Sequence, residues 1–495
     1  MPCIIRSTMS IPRPSEKAAT AADLLHIGHE SQPFMLSLDG PGGKDARLDC
    51  LDVIRVIPGR RMVCRGEWRD QEVFVKLYLD SDRYWQSELQ GLKALQAASI
   101  PAPRILHAGT ADQGAIHVIL LEPVSPVRTF EAAWQQAQDE PARLGLLEQA
   151  ARTIARHHRA GLEQRDIHLD NFLLSGGRLY TIDGGGIRIS GHEELSVRQS
   201  RDNLALFLAQ LYPRFDYLAA AVLAAYRDER EWAGDVLTVA ELEGRVRHFR
   251  RWRRRRFLKK VFRNCTAFAC DRSWRYFRVY DRSLASGKML EFLANPDASL
   301  KFPDTRYLKQ GNTCTLWLTR VDGRPLVVKR YNIKGLVHRF GRAFRRTRAA
   351  ASWRNAHRLG MYGIATARPV ALLEQRFGPL RGRAWYISEH VDGEDVLRLC
   401  MQPDMDTAAL QAAAEPLVEL LQQLAQSGIS HGDMKGSNFI LTGNGPVIID
   451  LDALQEHVLG WNFRRMQRRD IQRFMRNWED CPEIAAFFKS SLVTS

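Results

Sequence analysis

Two aspartates, an asparagine and a glycine recur at one spacing in both halves of this chain. Gly161, Asp166, Asn171 and Asp183 stand at intervals of 5, 5 and 12, and Gly428, Asp433, Asn438 and Asp450 repeat those intervals. An Asp on a loop, an Asn five residues on and a second Asp closing an apolar strand are the parts that phosphoryl transfer needs. The first Asp orients the attacking hydroxyl, while the Asn and second Asp hold Mg²⁺ against nucleotide phosphates. Asp166 and Asp433 are therefore candidate catalytic residues, and Asn171, Asp183, Asn438 and Asp450 candidate metal ligands. A loop turn with local side-chain bonds would account for either Asp-Asn pair alone. The repeated step of 12 makes that the poorer explanation.

Such a site also needs a Lys on the α/β-phosphates and an acid to orient it. Lys76 and Lys329 lie mid-strand between apolar neighbours, 90 and 104 residues before Asp166 and Asp433. Glu88 falls on the apolar face of the following helix, where a carboxylate is costly unless paired, so an ion pair with Lys76 is expected. The matching helix position in the second half is Ser352, and no carboxylate occurs between Asp322 and Glu374. The second unit is thus expected to lack the Lys partner. Lys435 is placed to touch a γ-phosphate, with His168 at that position in the first unit. Gly59, in I-P-G-R-R, and Gly311, in K-Q-G-N-T, are phosphate-loop candidates, although a simple turn explains each as well. Asp202 and Asp470 follow the metal Asp by 19 and 20 residues and are expected to brace the catalytic loop from a helix. That interval leaves little room for a peptide-docking segment, and no A-P-E follows. Acceptors other than protein are favoured.

The elements that must position these residues recur in the same order. Val73–Leu79 reads as a strand, and Trp85, Leu89, Leu92 and Leu95 mark a helix. A Pro-rich break and a second strand, A-I-H-V-I-L-L-E, follow. Ala142 to Gly161 is a buried helix ended by glycine. In the second half Pro325–Tyr331 is a strand, Ala349–Leu359 a helix, R-A-W-Y-I-S-E-H a strand, and Thr407–Gln426 an apolar-periodic helix capped by Gly428. The fold class expected is α+β: two tandem protein-kinase-like bilobal domains, each with a strand-rich N-lobe and a helical C-lobe. Residues 1–30 read as a flexible tail, 31–285 as the first domain and 296–495 as the second, with the linker between about Tyr276 and Phe302.

A length of 495 residues, 45% apolar and 26% charged, suits a globular chain of more than one domain. No apolar run approaches a membrane span, and the N-terminus lacks a secretory pattern. Eight scattered cysteines without a C-x-x-C argue against zinc and against a disulfide framework, which favours a reducing cytosol. The net charge of +15 is uneven: residues 1–240 carry 27 basic and 31 acidic side chains, residues 241–495 carry 44 and 25. The excess concentrates in Arg245–Arg263, His338–Arg348 and Phe463–Arg469, with aromatics interleaved. An anionic partner is expected, whether acidic lipid, phosphorylated glycan or nucleic acid.

These motifs resemble the lipopolysaccharide core kinases of Gram-negative bacteria, the Kdo/WaaP and InaA-like group, in tandem. The carrying features are P-G-R-R with F-V-K-L-Y, the W-Q-S-E helix, and Q-R-D-I-H-L-D-N-F-L-L with T-I-D-G-G. In the second unit they are V-V-K-R-Y, S-W-R-N-A-H-R-L with G-I-A-T-A-R-P, and H-G-D-M-K-G-S-N-F-I-L with V-I-I-D-L-D. The resemblance implies ATP- and Mg²⁺-dependent phosphorylation of a heptose or Kdo hydroxyl on the lipid A–core precursor, at the cytoplasmic face of the inner membrane. The basic second half would meet that anionic surface, and a nucleic-acid role is disfavoured. Two other readings are a pseudokinase scaffold or acceptor-binding protein in core assembly, and a protein kinase.

Overall fold

The computed structural model describes residues 17–25, 32–40, 46–125, 127–332, 346–400 and 407–493. Helix and sheet are mixed, as in the α+β class, and the chain divides into two compact units. The first comprises residues 1–211 and 215–250, the second 212–214 and 251–495.

In the first unit six antiparallel strands lie in the order Phe34–Ser37, Arg47–Ile57, Arg61–Trp68, Gln71–Tyr78, Ile116–Leu121 and Ile105–Ala111. Alternating side chains such as Cys64, Val73, Val75 and Leu77 are buried on one face with Leu36, Leu48, Val118 and Leu120. The helix Asp82–Ala97 follows the Lys76 strand; Ser81 caps it by accepting from the Arg83 N–H. The helical part centres on Glu140–Arg159, Val197–Leu208 and Ala219–Arg230, whose core holds Leu147, Ile154, Leu204, Phe207, Val222 and Tyr226.

The second unit repeats five of these strands in the same order: Arg306–Gln310, Cys314–Val321, Arg324–Tyr331, Leu380–Glu389 and Pro369–Phe377. Two further strands, Tyr276–Asp281 and Phe268–Arg272, extend the sheet beyond Pro369–Phe377. Helix Arg348–Met361 lies between the strands Arg324–Tyr331 and Pro369–Phe377, and helices Thr407–Gln426, Gly460–Met475 and Pro482–Val493 follow the sheet.

Two expected boundaries are corrected. The linker does not fall between Tyr276 and Phe302, because Tyr276–Asp281 is hydrogen-bonded into the second sheet and the division lies at Arg250/Arg251. The alternating run Y-F-R-V-Y-D buries Phe277 and Val279, which draws it into that sheet. Nor is 1–30 a flexible tail throughout: Ala21–Leu25 is a helix whose Leu24 is 1% exposed in the first sheet's core. Residues 1–16, 26–31 and 338–345 of the second basic run lie outside the described residues.

Candidate active site

Tight turns set the two lysines in register. Arg69 and Asp70 have φ of 54° and 58°, and Asp322 and Gly323 have 49° and 73°. Positive φ at both central residues gives a turn whose twist matches its flanking strands. Lys76 then pairs across to Val63 and Ile119, and Lys329 to Leu316 and Tyr386. Both lysines are buried.

Hairpin arithmetic explains the step of 12. After Asn171 the strands Phe172–Ser175 and Arg178–Thr181 pair so that Thr181 returns beside Phe172. After Asn438, Phe439–Thr442 and Gly445–Ile448 bring Ile448 back beside Phe439. The Ile182 and Ile449 N–H groups then donate to the carbonyls of Asn171 and Asn438, each at 2.9 Å. Asp183 and Asp450 follow at once in left-handed backbone, φ 72° and 58°. That conformation is uncommon outside glycine and turns each carboxylate out of its strand direction. The Asn171 Nδ2 donates to the Asp166 carbonyl at 2.7 Å, and Asn438 Nδ2 to that of Asp433 at 2.8 Å. Each Asn thus spends its amide N–H on the loop and keeps its amide oxygen for another partner.

In the first unit the expected ion pair is present: Lys76 Nζ donates to Glu88 Oε1. Glu88 is 1% exposed and also accepts from the Gly184 and Gly185 N–H groups at 3.0 and 2.9 Å. Burial alone would raise its pKa, but the Lys76 charge and these donors hold it well below the usual carboxylate range. Asp183 is shifted the other way, raised by burial and by the Glu88 charge. A carboxylate crowded by another is one that a cation would relieve. The helix meets this loop without a gap: a Cβ on Gly91 would stand 1.9 Å from the Gly184 carbonyl oxygen.

The second unit is wired differently. Lys329 Nζ pairs with Asp450 Oδ1, and Asp452 Oδ2 lies 3.5 Å away. The expectation that Lys329 lacks an acidic partner is therefore corrected, while the expectation of a helix position without an acid stands. Ser352 instead bonds the Tyr331 hydroxyl at 3.0 Å. Asp450 is lowered; burial opposes this, but Lys329 outweighs it. Asp452 also takes Arg348 at 2.7 Å.

Of the two catalytic-loop aspartates, Asp166 is exposed and Asp433 half-buried. Asp166 Oδ1 is 3.0 Å from His168 Nε2, and Asp433 Oδ1 is 3.3 Å from Lys435 Nζ and 3.0 Å from an Arg473 guanidinium nitrogen. Asp470 braces the second loop as expected, accepting from the His431 N–H at 2.6 Å and the Gly432 N–H at 3.0 Å. Asp202 does not brace the first; it pairs with Arg245 at 2.8 Å. The neighbouring Asn203 does, donating to the Gln164 carbonyl at 2.9 Å and bonding His158 Nε2 at 3.0 Å. Asn203 stands 20 residues after Asp183, the interval of Asp470 from Asp450, so the unequal spacing of the two acids was the missed signal. Gly59 has φ +69° at the turn joining the two strands before Lys76. Gly311 occupies the corresponding turn, its carbonyl accepting from Asn332 Nδ2 at 3.1 Å.

An amide oxygen and a carboxylate, Asn171 with Asp183 and Asn438 with Asp450, fit a magnesium ion that takes its other ligands from phosphates and water. No group of three or more His, Cys, Asp or Glu side chains that could hold a metal occurs among the described residues. The roles of Gly91, Gly184, Gly185, Asn203 and Asp452 are not legible in the sequence, since they are contacts between segments distant in the chain, although Gly184, Gly185 and Asp452 stand inside the quoted T-I-D-G-G and V-I-I-D-L-D motifs.

The basic runs are partly spent inside the fold. Arg250 pairs with Asp216 at 2.7 Å and Arg254 with Glu456, both arginines being buried, whereas Arg247 meets Glu243 at 3.3 Å on the surface. On Gly460–Met475, by contrast, Arg464, Arg465, Arg468 and Arg469 are exposed, beside exposed Val458, Leu459 and Trp461. No helix among the described residues is long and apolar enough to cross a membrane.

The lipopolysaccharide kinase (Kdo/WaaP) family model matches residues 76–184 and 305–487, which contain both lysines, Glu88 and both Asp-Asn-Asp sets, and leave out Gly59, Gly185 and Asn203. No curated protein was found to match. Among solved structures, "WaaP in complex with acyl carrier protein" is similar at 22% identity over 42% of this chain and 87% of that chain, with a TM-score of 0.31. Superposition at that level does not define a shared fold. The family match spans more than half of the sequence and falls on both halves, so the chain belongs to the lipopolysaccharide kinase (Kdo/WaaP) family.

Proposed function

We propose that the first unit transfers the γ-phosphoryl group of ATP to a heptose or Kdo hydroxyl of the lipopolysaccharide inner core. Asp166 orients the acceptor hydroxyl and takes its proton as the oxygen–phosphorus bond forms; the bond from the γ-phosphorus to the bridging oxygen breaks, and ADP leaves. Lys76, held by Glu88, positions the α/β-phosphates. Asn171 and Asp183 would hold Mg²⁺, which neutralises phosphate charge when bound. His168, 3.0 Å from Asp166, is placed beside the transferred group. The observation that carries this reading is the buried Lys76–Glu88 pair anchored on the Gly184–Gly185 amides, which joins sheet, helix and metal loop in one construction.

In the second unit Asp433, Lys435, Asn438, Asp450 and Lys329 would take MgATP through the same residue types, with Lys329 held from the metal loop instead of the helix, and act on another position of the same acceptor. The kinase-like bilobal plan in tandem is part of this reading, supported by the five strands repeated in one order. The exposed arginines of Gly460–Met475, with Trp461 and Leu459 at its start, suit the anionic headgroups around a membrane-held lipid A–core precursor. A second reading gives this unit acceptor binding alone, and the engagement of Lys329 by Asp450 favours it.

Mass spectrometry of purified core oligosaccharide after incubation with ATP tests both. Asp166→Asn should remove one phosphate and Asp433→Asn another. Full phosphorylation by Asp433→Asn would select acceptor binding for the second unit, and full phosphorylation by both variants would exclude catalysis at either aspartate.

A further inference from the structure

We infer that Asp452 is the lysine-positioning carboxylate of the second unit, moved from the helix to the metal loop. This rests on the reading that the second site takes nucleotide. The two units can be aligned by their helix-to-loop contacts. Three residues after Glu88, Gly91 closes on Gly184, the residue following Asp183. Three residues after Ser352, Asn355 Nδ2 donates to the carbonyl of Leu451, the residue following Asp450, at 2.8 Å. Ser352 therefore occupies the place of Glu88, and Asp452 that of Gly185. The first unit has an acid on the helix and glycine on the loop; the second has serine on the helix and an acid on the loop. The carboxylate and the small residue have changed places.

The surroundings agree with that exchange. The Asp452 side chain is 7% exposed, 3.5 Å from Lys329 Nζ and 2.7 Å from an Arg348 guanidinium nitrogen. Lys329 Nζ lies 5.2 Å from the centre of the Tyr331 ring, whose hydroxyl meets Ser352. A carboxylate at residue 352 would thus enter the same pocket from the helix side. When a metal claims Asp450, Asp452 remains beside Lys329, so the lysine is not left alone in a buried site. Arg348 supplies a second positive charge that holds Asp452 in place.

The test uses the full chain carrying Lys76→Ala, so that calorimetric uptake of MgATP reports the second site. Asp452→Gly should weaken that uptake about tenfold or more, as expected for a buried charge left unpaired. Adding Ser352→Glu should restore it, which loss of a merely structural residue would not allow. Unchanged affinity in Asp452→Gly, or no recovery in a folded double variant, would overturn the assignment. A second readout needs neither nucleotide nor Ser352→Glu: the acylation rate of Lys329 by an amine reagent, followed by mass spectrometry. Asp452→Asn, which keeps the shape of the side chain, should raise it several-fold, and an unchanged rate would again overturn the assignment. If the parent takes up no MgATP but acylation rises, the nucleotide reading falls while the positioning role stands.

Discussion

Replacing Glu88 by Gln tests how the first site is held together. The carboxylate is 1% exposed and joins three groups: the Lys76 ammonium and the Gly184 and Gly185 N–H groups. Removing one member of a buried ion pair costs about 3–5 kcal/mol, because the other charge stays buried. Gln keeps one acceptor oxygen and recovers about 1 kcal/mol in a remaining hydrogen bond. The net loss is about 2–4 kcal/mol, or roughly 30- to 1,000-fold in the equilibrium for opening the loop. Amide hydrogen exchange reads this where it happens, since the Gly184 and Gly185 amides are the donors involved. Their exchange should accelerate by that factor, and first-unit phosphoryl transfer should fall with it. Ser352→Ala, at the corresponding helix position, loses only the bond to Tyr331 and should leave exchange at 451–453 near its original rate. Unchanged exchange at Gly184 and Gly185 in Glu88→Gln would refute the claim that this carboxylate ties helix to loop.

Three further outcomes follow from the same geometry. Gly91→Ala places a methyl group 1.9 Å from the Gly184 carbonyl oxygen, so the Asp183 loop must shift; MgATP affinity at the first site should drop about tenfold or more, while the second site is unaffected. Asn203→Ala should lower first-unit kcat and cost about 1–3 kcal/mol, whereas Asp202→Ala, which breaks a partly exposed pair with Arg245, should cost no more than about 1 kcal/mol and spare kcat. Burial lowers His157 to about 4 and His158 to about 3, whereas both take up protons near pH 6.5 once unfolded. The unfolded state then binds more protons between about pH 6.5 and 4, so first-unit stability should fall on acidification across that window by up to about 1.4 kcal/mol per pH unit for each histidine. His157→Gln, which can still meet the Thr181 hydroxyl, should flatten that slope in denaturant titrations at pH 7 and pH 5.

What the sequence disclosed and what it hid divide along a physical line. The Asp-Asn-Asp spacing was legible because a ten-residue hairpin has one length, and both copies use it. The Lys76–Glu88 pair was legible because an acid on an apolar helix face demands a partner. The two strands Phe268–Arg272 and Tyr276–Asp281 were missed because they follow a basic helix and interrupt the order of the first unit. Residue type alone points to Asp202 as the brace, although the loop needs only a hydrogen-bonding group and the amide of Asn203 serves as well as a carboxylate. Asp452 is not legible as a partner of Lys329 because it lies 123 residues away on the metal loop, which the fold brings to the ammonium from a direction other than the helix.

The central claim, that each half grips magnesium-bound nucleotide through one asparagine and one aspartate, is most directly tested by calorimetric titration of the full chain with ATP at saturating Mg²⁺. Two equivalents should bind, Asp183→Asn and Asp450→Asn should each remove one, and omission of Mg²⁺ should weaken both. Absence of any ATP uptake, or uptake that survives both substitutions together, would contradict it.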